Sequence, residues 1–479
     1  MKVFKVSPVF PTVRIQKIVL KNFKSVRSGE VVFNCGRKFI PQDTEPDILG
    51  IYGQNGSGKT AVIEAIAILE RAMRGERVSA RYSECVADGA EYAELLFVFD
   101  LQYPADDEPY TRTISYSFKM EAISKEKGEE DTEIKSLSSL YPKKVRLFEE
   151  TISAAGYFDG VIQKKQDILT TTSGKFPIGP VRKLQYYVGE DKDAVAIDLV
   201  VSQRTAAKES RSFFFSNETL ELFYKHSNYS EYFQVLAELN YYAHFYLYAV
   251  DTRSSGMGSV MTIPFNTRRG LLPLNLMESA KMEQSVFTGV QSIIKSMNTV
   301  LPSLVPNMEL ILDYNEFVTE KRTGVEVRVL SKRKDILIPL RDESAGIIKL
   351  VSILNLVIAA FNDRSVTVAI DELDAGIYEY LLGEILSALE IYGKGQFIFT
   401  SHNLRPLEVL KKENLIFTTS NPDNRYIRLK GVGKTNNLRN LYLREILGNT
   451  QDEQIYDAAK RQRMISAFMK AGVGDAEEK

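Results

Sequence analysis

Gly53-Gln54-Asn55-Gly56-Ser57-Gly58-Lys59-Thr60 fits the pattern G-x-x-x-x-G-K-[ST] at every fixed position. Before it, Ile48-Leu49-Gly50-Ile51-Tyr52 is apolar and reads as a buried strand. After it, Ala61-Val62-Ile63-Glu64-Ala65-Ile66-Ala67-Ile68-Leu69 reads as a helix. Strand, glycine-rich loop and helix are the context this pattern needs. The glycines let the backbone turn tightly, so that successive N–H groups converge on phosphate oxygens, and the helix N-terminus adds partial positive charge. Gly53, Asn55, Gly56, Ser57 and Gly58 are thus candidate cradle residues. Lys59 is placed to reach the β- and γ-phosphates, and the Thr60 hydroxyl to bind Mg²⁺. The competing reading is a Gly/Ser-rich surface turn, and the two correct flanks weigh against it. The expectation is a chain that binds a nucleoside triphosphate.

A second short strand, Ser365-Val366-Thr367-Val368-Ala369-Ile370, ends in Asp371-Glu372. In a phosphate-loop fold the first acid sits beside Thr60 and helps hold Mg²⁺, and the second polarises the attacking water. Leu373-Asp374-Ala375-Gly376-Ile377 follows, then a helix from Tyr378 to Tyr392. Gln396-Phe397-Ile398-Phe399-Thr400-Ser401-His402 is another buried strand, and the intervening helix implies that it lies parallel to the last. A histidine at the C-terminal end of such a strand faces the ligand crevice. His402 is therefore a candidate for the γ-phosphate and the water, against the plainer reading of a polar loop residue. Upstream, Ser344-Ala345-Gly346 opens an apolar helix running to Phe361. Its N-terminus is an anion site by the same dipole argument, although a capping serine accounts for the residues locally.

The chain has 479 residues, room for about two or three domains. Hydrophobic residues make up 44% and charged residues 26%, ordinary values for a globular protein. Formal net charge is -1, so no overall basic field points to nucleic acid, although a local patch would still allow direct DNA binding. Two cysteines, Cys35 and Cys85, make no disulfide framework and imply a reducing, cytoplasmic setting. His226, His244 and His402 form no cluster with zinc spacing. No cleavable signal and no apolar run long enough for a bilayer is expected, hence no membrane partner.

Arg14 to Val19 and Glu30 to Phe33 read as strands, with Leu20-Lys21-Asn22-Phe23-Lys24-Ser25 between them. Lys24 is a candidate nucleotide contact; the alternative is a solvated surface charge. Glu94 to Leu101 and Tyr110 to Phe118 are strand signals, and Gln102 at the end of the first reads as a solvent-facing loop residue, the alternative being a metal- or water-contacting glutamine. Glu121 to Lys144 is a charged loop or hairpin tip. Two β segments follow up to Pro180, and Asp191 to Val250 has helical periodicity with many core aromatics. Asp251 to Gly270, with Arg253, Arg268 and Arg269, reads as a loop. Met277 to Val300 is a helix, and Met308 to Tyr314 and Val325 to Leu330 are strands. The expected division is 1–119 and 301–430 as two parts of one α/β nucleotide-binding head. Between them lies a large α+β insertion at 120–300, and a helical tail follows at 431–479.

The order of these motifs resembles ABC-class ATPases of the RecF, SMC and OLD kind, over about residues 13–110 and 330–420. Leu20 to Ser25 is similar to the opening strand motif. Ser344-Ala345-Gly346 is similar to the signature motif, with Ala345 in place of a glycine. Asp374-Ala375-Gly376-Ile377 resembles the D-loop, and His402 the switch histidine. The resemblance implies a P-loop ABC-type head with a mixed sheet and flanking helices. It implies hydrolysis of ATP with Mg²⁺ held by Thr60 and Asp371, with Glu372 and His402 catalytic. It further implies a head-to-tail dimer or higher oligomer, in which Ser344 and Gly346 of one copy close over the nucleotide of the other. The chain has no long heptad run, and only about fifty residues beyond residue 430. In that compactness it resembles the stand-alone ATPases of prokaryotic phage-defence systems such as PARIS and Septu. These act with a separate effector, often a nuclease. The alternatives are a RecF-like repair ATPase that binds DNA directly, and a transporter's ATP-binding subunit.

Overall fold

The structure is a computed structural model that describes residues 10–33, 47–104, 109–125, 141–173, 176–189, 192–251, 262–267, 270–319, 322–430, 438–448, 452–455 and 461–472. Cys35, Arg253, Arg268 and Arg269, and the centre of the charged stretch at 126–140, lie outside the described residues.

A six-stranded sheet carries the motifs. Its order is Tyr426–Ile427, Leu415–Thr418, Asp47–Tyr52, Gln396–Thr400, Thr367–Ile370 and Leu247–Val250. All neighbours are parallel except the first pair. Such strands are buried on both faces, and the residues alternate accordingly. Leu49, Ile51, Ala369, Ile398 and Ile416 face the phosphate-loop helix Lys59–Met73. Ile48, Val368, Ile370, Phe397, Phe399, Leu415 and Phe417 face the helices Ala345–Asn362 and Glu379–Tyr392.

By length and composition, Ala345–Asn362 is apolar enough to cross a bilayer, contrary to the sequence expectation. Here half of it is buried inside the fold, between the parallel sheet and a smaller layer. That layer is a sheet of Ala280–Met282, Arg322–Arg333 and Met308–Thr319, with Ile336–Pro339 paired to Arg322–Arg333 and the helix Gln284–Leu304 packed on it.

A seven-stranded sheet lies on the other side of the phosphate-loop helix. Its order is Val26–Val32, Thr12–Phe23, Ala93–Tyr103, Tyr110–Ser124, Lys143–Phe158, Val161–Thr171 and Ile178–Gly179, and every neighbouring pair is antiparallel. Gln102 belongs to the third of these strands, paired with Thr12 and Thr111, rather than to a loop.

The span read as an insertion, 120–300, is not a separate layer. Its first strands extend the seven-stranded sheet. After the helices Lys192–Lys208, Asn217–His226 and Glu231–Phe245, the chain returns as Leu247–Val250 to pair with Thr367–Ile370. That last segment is a strand, not the helix its periodicity suggested. Four apolar residues beside a long helix carry too little pattern to show their state.

Gln396 ties the two sheets together. Ile15 lies opposite Phe99 in the antiparallel sheet, beside a β-bulge between Ile15 and Lys17. Gln396 Nε2 donates to Ile15 O at 2.9 Å, and its Oε1 accepts from Ile15 N at 3.1 Å. The same amide nitrogen donates to Asp47 Oδ2 at 2.6 Å. Burial raises the Asp47 carboxyl, while Arg14 and Gln396 pull it back down. Arg14 Nη2 donates to Lys394 O at 2.7 Å, a second link between the sheets. Gln396→Leu leaves the Ile15 amide and carbonyl buried without these partners. It is expected to cost about 2–3 kcal/mol, read as a lower urea midpoint with an unchanged slope. An unchanged midpoint would show that the sheets are held together elsewhere.

Candidate functional site

The phosphate loop starts where the strand Asp47–Tyr52 leaves the sheet. Gly53 has φ +154°, and a Cβ there would lie 1.7 Å from Thr418 Oγ1. Gly58 has φ +97°, caps the helix Lys59–Met73, and sits against Val26, Arg425 and Tyr426. Ser57 Oγ lies 2.5 Å from Thr418 Oγ1, and Tyr426 OH donates to Gly58 O at 2.7 Å. Gly53, Ser57 and Gly58 therefore shape the loop from behind. Asn55 and Gly56 line the open cleft with Lys59 and Thr60.

That cleft, about 590 Å³, is closed on its other side by Asp371, Glu372, Asp374, Ala375 and His402. Residues more than 300 positions apart in sequence thus meet at the C-terminal ends of adjacent parallel strands. Thr60 Oγ1 is 3.3 Å from Asp371 Oδ1. A hydroxyl and a carboxylate side by side are a hard-oxygen pair that suits Mg²⁺, which completes its shell with phosphate oxygens and water.

Thr400 went unmarked in the sequence. Its Oγ1 donates to Asp371 Oδ1 at 2.6 Å and accepts from Glu372 N at 2.8 Å. Glu372 has φ +47°, a left-handed conformation costly for a side chain with a Cβ, and this bond helps hold it. The usable signal was the position of Thr400 at the end of a strand parallel to the acid-bearing one. Asp374 accepts from the backbone N–H groups of His402 and Asn403, at 3.2 Å and 3.0 Å, and so fastens the turn after the acids to the loop after the next strand. The His402 ring faces the cleft. Partial burial first, and the nearby Lys59 second, hold its pKa below the ordinary value.

Three candidates, Lys24, Ser344 and Gly346, lie elsewhere. Lys24 does not line this cleft: its Nζ is 2.5 Å from Glu64 Oε2 on the phosphate-loop helix. A fully buried carboxylate claims the ammonium that the sequence offered to the nucleotide, and Lys24 borders a separate cleft with Ser83, Asp88 and Tyr141. Ser344 is exposed, and its Oγ accepts from Ile347 N at 3.4 Å as the N-cap of Ala345–Asn362. Neither Ser344 nor Gly346 borders the cleft. Gly346 packs on the turn after the acids, where a Cβ would lie 2.1 Å from Gly376 O.

Lys59 Nζ donates to Gly53 O at 2.8 Å and Gln54 O at 2.9 Å. Burial pulls its pKa down to about 8, against Asp371, Glu372 and Asp374, which raise it. Bound phosphates would favour the charged form and raise that pKa. Above about pH 8, ATP binding should therefore take up a proton, and affinity should fall as pH rises further. Calorimetry at about pH 9 in two buffers of different ionisation enthalpy measures this, and zero uptake would contradict it.

The AAA_23 family, an AAA domain, matches residues 17–153. No curated protein matches significantly. Among solved structures, an SMC head bound to the C-winged helix domain of ScpA is 14% identical with a TM-score of 0.42, covering 87% of this chain and 98% of that one. The SMC head domain from Thermotoga maritima is 15% identical at TM-score 0.33, covering 87% and 99%. The recombination mediator protein RecF-ATPrS of the RecFOR pathway is 13% identical at TM-score 0.34, covering 83% and 95%. The family match spans the phosphate loop, and the fold around it is α/β with a mixed sheet and flanking helices.

Proposed function

We propose that this chain binds ATP with Mg²⁺ and hydrolyses it in a site completed by a second copy. We further propose that the cycle controls a separate effector, a nuclease, in prokaryotic anti-phage defence. One observation supports the composite site above others. Lys59, Thr60, Asp371, Glu372 and His402 converge on one cleft, whereas the helix N-terminus at Ser344 is exposed outside it. An anion-binding helix end that its own cleft does not use is available to a neighbour's γ-phosphate.

In this reading Lys59 leaves the carbonyls of Gly53 and Gln54 for the β- and γ-phosphates. Thr60 and Asp371 hold Mg²⁺, which neutralises charge on the phosphate oxygens. Glu372, its backbone fixed by Thr400, orients the attacking water, and His402 sits across the cleft to contact the γ-phosphate. Asp374 couples the His402 loop to the acids. The defence role and the effector rest on the motif order and its resemblance to stand-alone defence ATPases.

Lys59→Ala should weaken ATP binding by about a hundredfold or more in a calorimetric titration, because it removes the loop's one ammonium. Glu372→Gln should retain ATP affinity and lower kcat by about two to four orders of magnitude. Unchanged affinity in the first, or unchanged turnover in the second, would overturn the corresponding role.

Ser344→Arg should leave ATP binding intact and block turnover by bulk. Mixed with Lys59→Ala during refolding, it should recover part of the activity, since one of the two interfaces then pairs two intact faces. Verified mixed dimers without activity above either variant would refute independent sites shared between copies. The effector reading predicts that the purified chain leaves DNA and RNA uncut. Cutting that disappears in Lys59→Ala purified in the same way would refute it.

A further inference from the structure

The outermost strand of the parallel sheet, Leu247–Val250, has four residues, and among the described residues its one strand neighbour is Thr367–Ile370. Ile370 lies beside Val250, and the amide of Asp371 donates to Val250 O at 2.9 Å. Asp371 is thus held from both sides, its carboxylate by Thr400 on one strand and its backbone by Val250 on the other. An edge strand this short frays unless its ends are fixed.

Both ends are fixed. At the start, Arg74, which follows the phosphate-loop helix, donates from Nε to Ala243 O at 2.7 Å and from Nη2 to Leu247 O at 3.2 Å. At the end, the residue after Val250 is Asp251, whose side chain is fully buried. The short helix Ala80–Cys85 meets it there. Arg81 Nη2 lies 3.0 Å from Asp251 Oδ2, and Tyr82 OH donates to the same oxygen at 2.7 Å. Arg81 Nη2 also donates to the Tyr82 hydroxyl at 2.6 Å, so the three groups form a closed triangle. The short helix is itself fastened to the end of the strand Thr12–Phe23. Lys24 N donates to Cys85 O at 2.8 Å, and Ala87 N donates to Asn22 O at 2.9 Å.

A buried ion pair is often no more stabilising than apolar side chains of the same volume, so stability alone does not account for this one. What it fixes is the end of a strand whose last carbonyl holds Asp371. Arg81, Tyr82 and Asp251 do not border the phosphate-loop cleft, so their influence on it runs through that strand.

We infer that Arg81, Tyr82 and Asp251 are positioning residues: their clasp pins the C-terminal end of Leu247–Val250 and so holds the Asp371 carboxylate beside Thr60 for a shared Mg²⁺. This inference rests on the reading of the cleft as a site for ATP with Mg²⁺. Groups that orient a metal ligand from behind are worth about ten- to a hundredfold in metal affinity.

The experiment uses the full chain with Asp251→Asn, which keeps shape and loses charge, Arg81→Lys, which keeps a cation, and Tyr82→Phe, which loses one hydroxyl. Thermal unfolding is recorded, and ATP affinity is measured by calorimetry in EDTA and again in Mg²⁺. In EDTA every variant should bind ATP within about twofold of wild type. In Mg²⁺, Asp251→Asn should bind about tenfold more weakly than wild type and Tyr82→Phe about threefold, with Arg81→Lys between wild type and Asp251→Asn.

Wild-type affinity in Mg²⁺ for a folded Asp251→Asn overturns the inference. A loss of equal size in EDTA and in Mg²⁺, which a loosened fold would give, overturns it too. Where Asp251→Asn does not fold, Tyr82→Phe decides: it keeps the ring and the ion pair, and a wild-type response to Mg²⁺ in it overturns the inference. Wild-type protein whose ATP affinity does not respond to Mg²⁺ overturns the metal reading itself, and this inference falls with it.

Discussion

Five residues, Gln396–Thr400, form an inner strand of the six-stranded sheet, and both ends of that strand carry a hydrogen-bonded junction. Gln396 at its start bonds both the N–H and the carbonyl of Ile15 and so fixes the antiparallel sheet to the parallel one. Thr400 at its end divides its hydroxyl between Asp371 and the amide of Glu372. The pairing of this strand with Thr367–Ile370 sets the position of the acids. Its pairing with Asp47–Tyr52 sets the position of the phosphate loop. A shift of one residue in either register would turn every side chain to the opposite face and separate Thr60 from Asp371.

The cleft is a problem of charge as much as of shape. Asp371, Glu372 and Asp374 crowd one wall, and the partly buried ammonium of Lys59 lines the same cleft. Carbonyls of Gly53 and Gln54 occupy that ammonium in the structure, so the loop is already folded round the cation that the phosphates need. Such preorganisation reduces the ordering cost of binding.

Local chemistry made much of this legible in the sequence. The phosphate loop, the Asp371-Glu372 strand end and the position of His402 each follow from short patterns whose neighbours are next to them in the chain, and the parallel order of the strands follows from the helices between them. Contacts across hundreds of residues were not legible. Nothing near Lys24 shows that Glu64 will hold it, and nothing near Leu247 shows that four residues will leave a helix to join a sheet completed by Thr367–Ile370.

The props behind the phosphate loop have a consequence for how the chain can be divided. Thr418 and Tyr426 support Ser57 and Gly58 from more than 350 positions downstream, and Arg425 Nη2 reaches Ser25 O at 2.5 Å. The segment around them is itself tied to the tail, where Asn421 and Asn424 donate to Glu453 and Ser420 N donates to Gln454 O. The N-terminal third, although it carries the whole loop motif, is therefore not a portable nucleotide-binding module. Excised alone it would lose the back wall of its own loop, and a proteolytic cut ahead of Thr418 would disarm the loop without touching a residue of the motif.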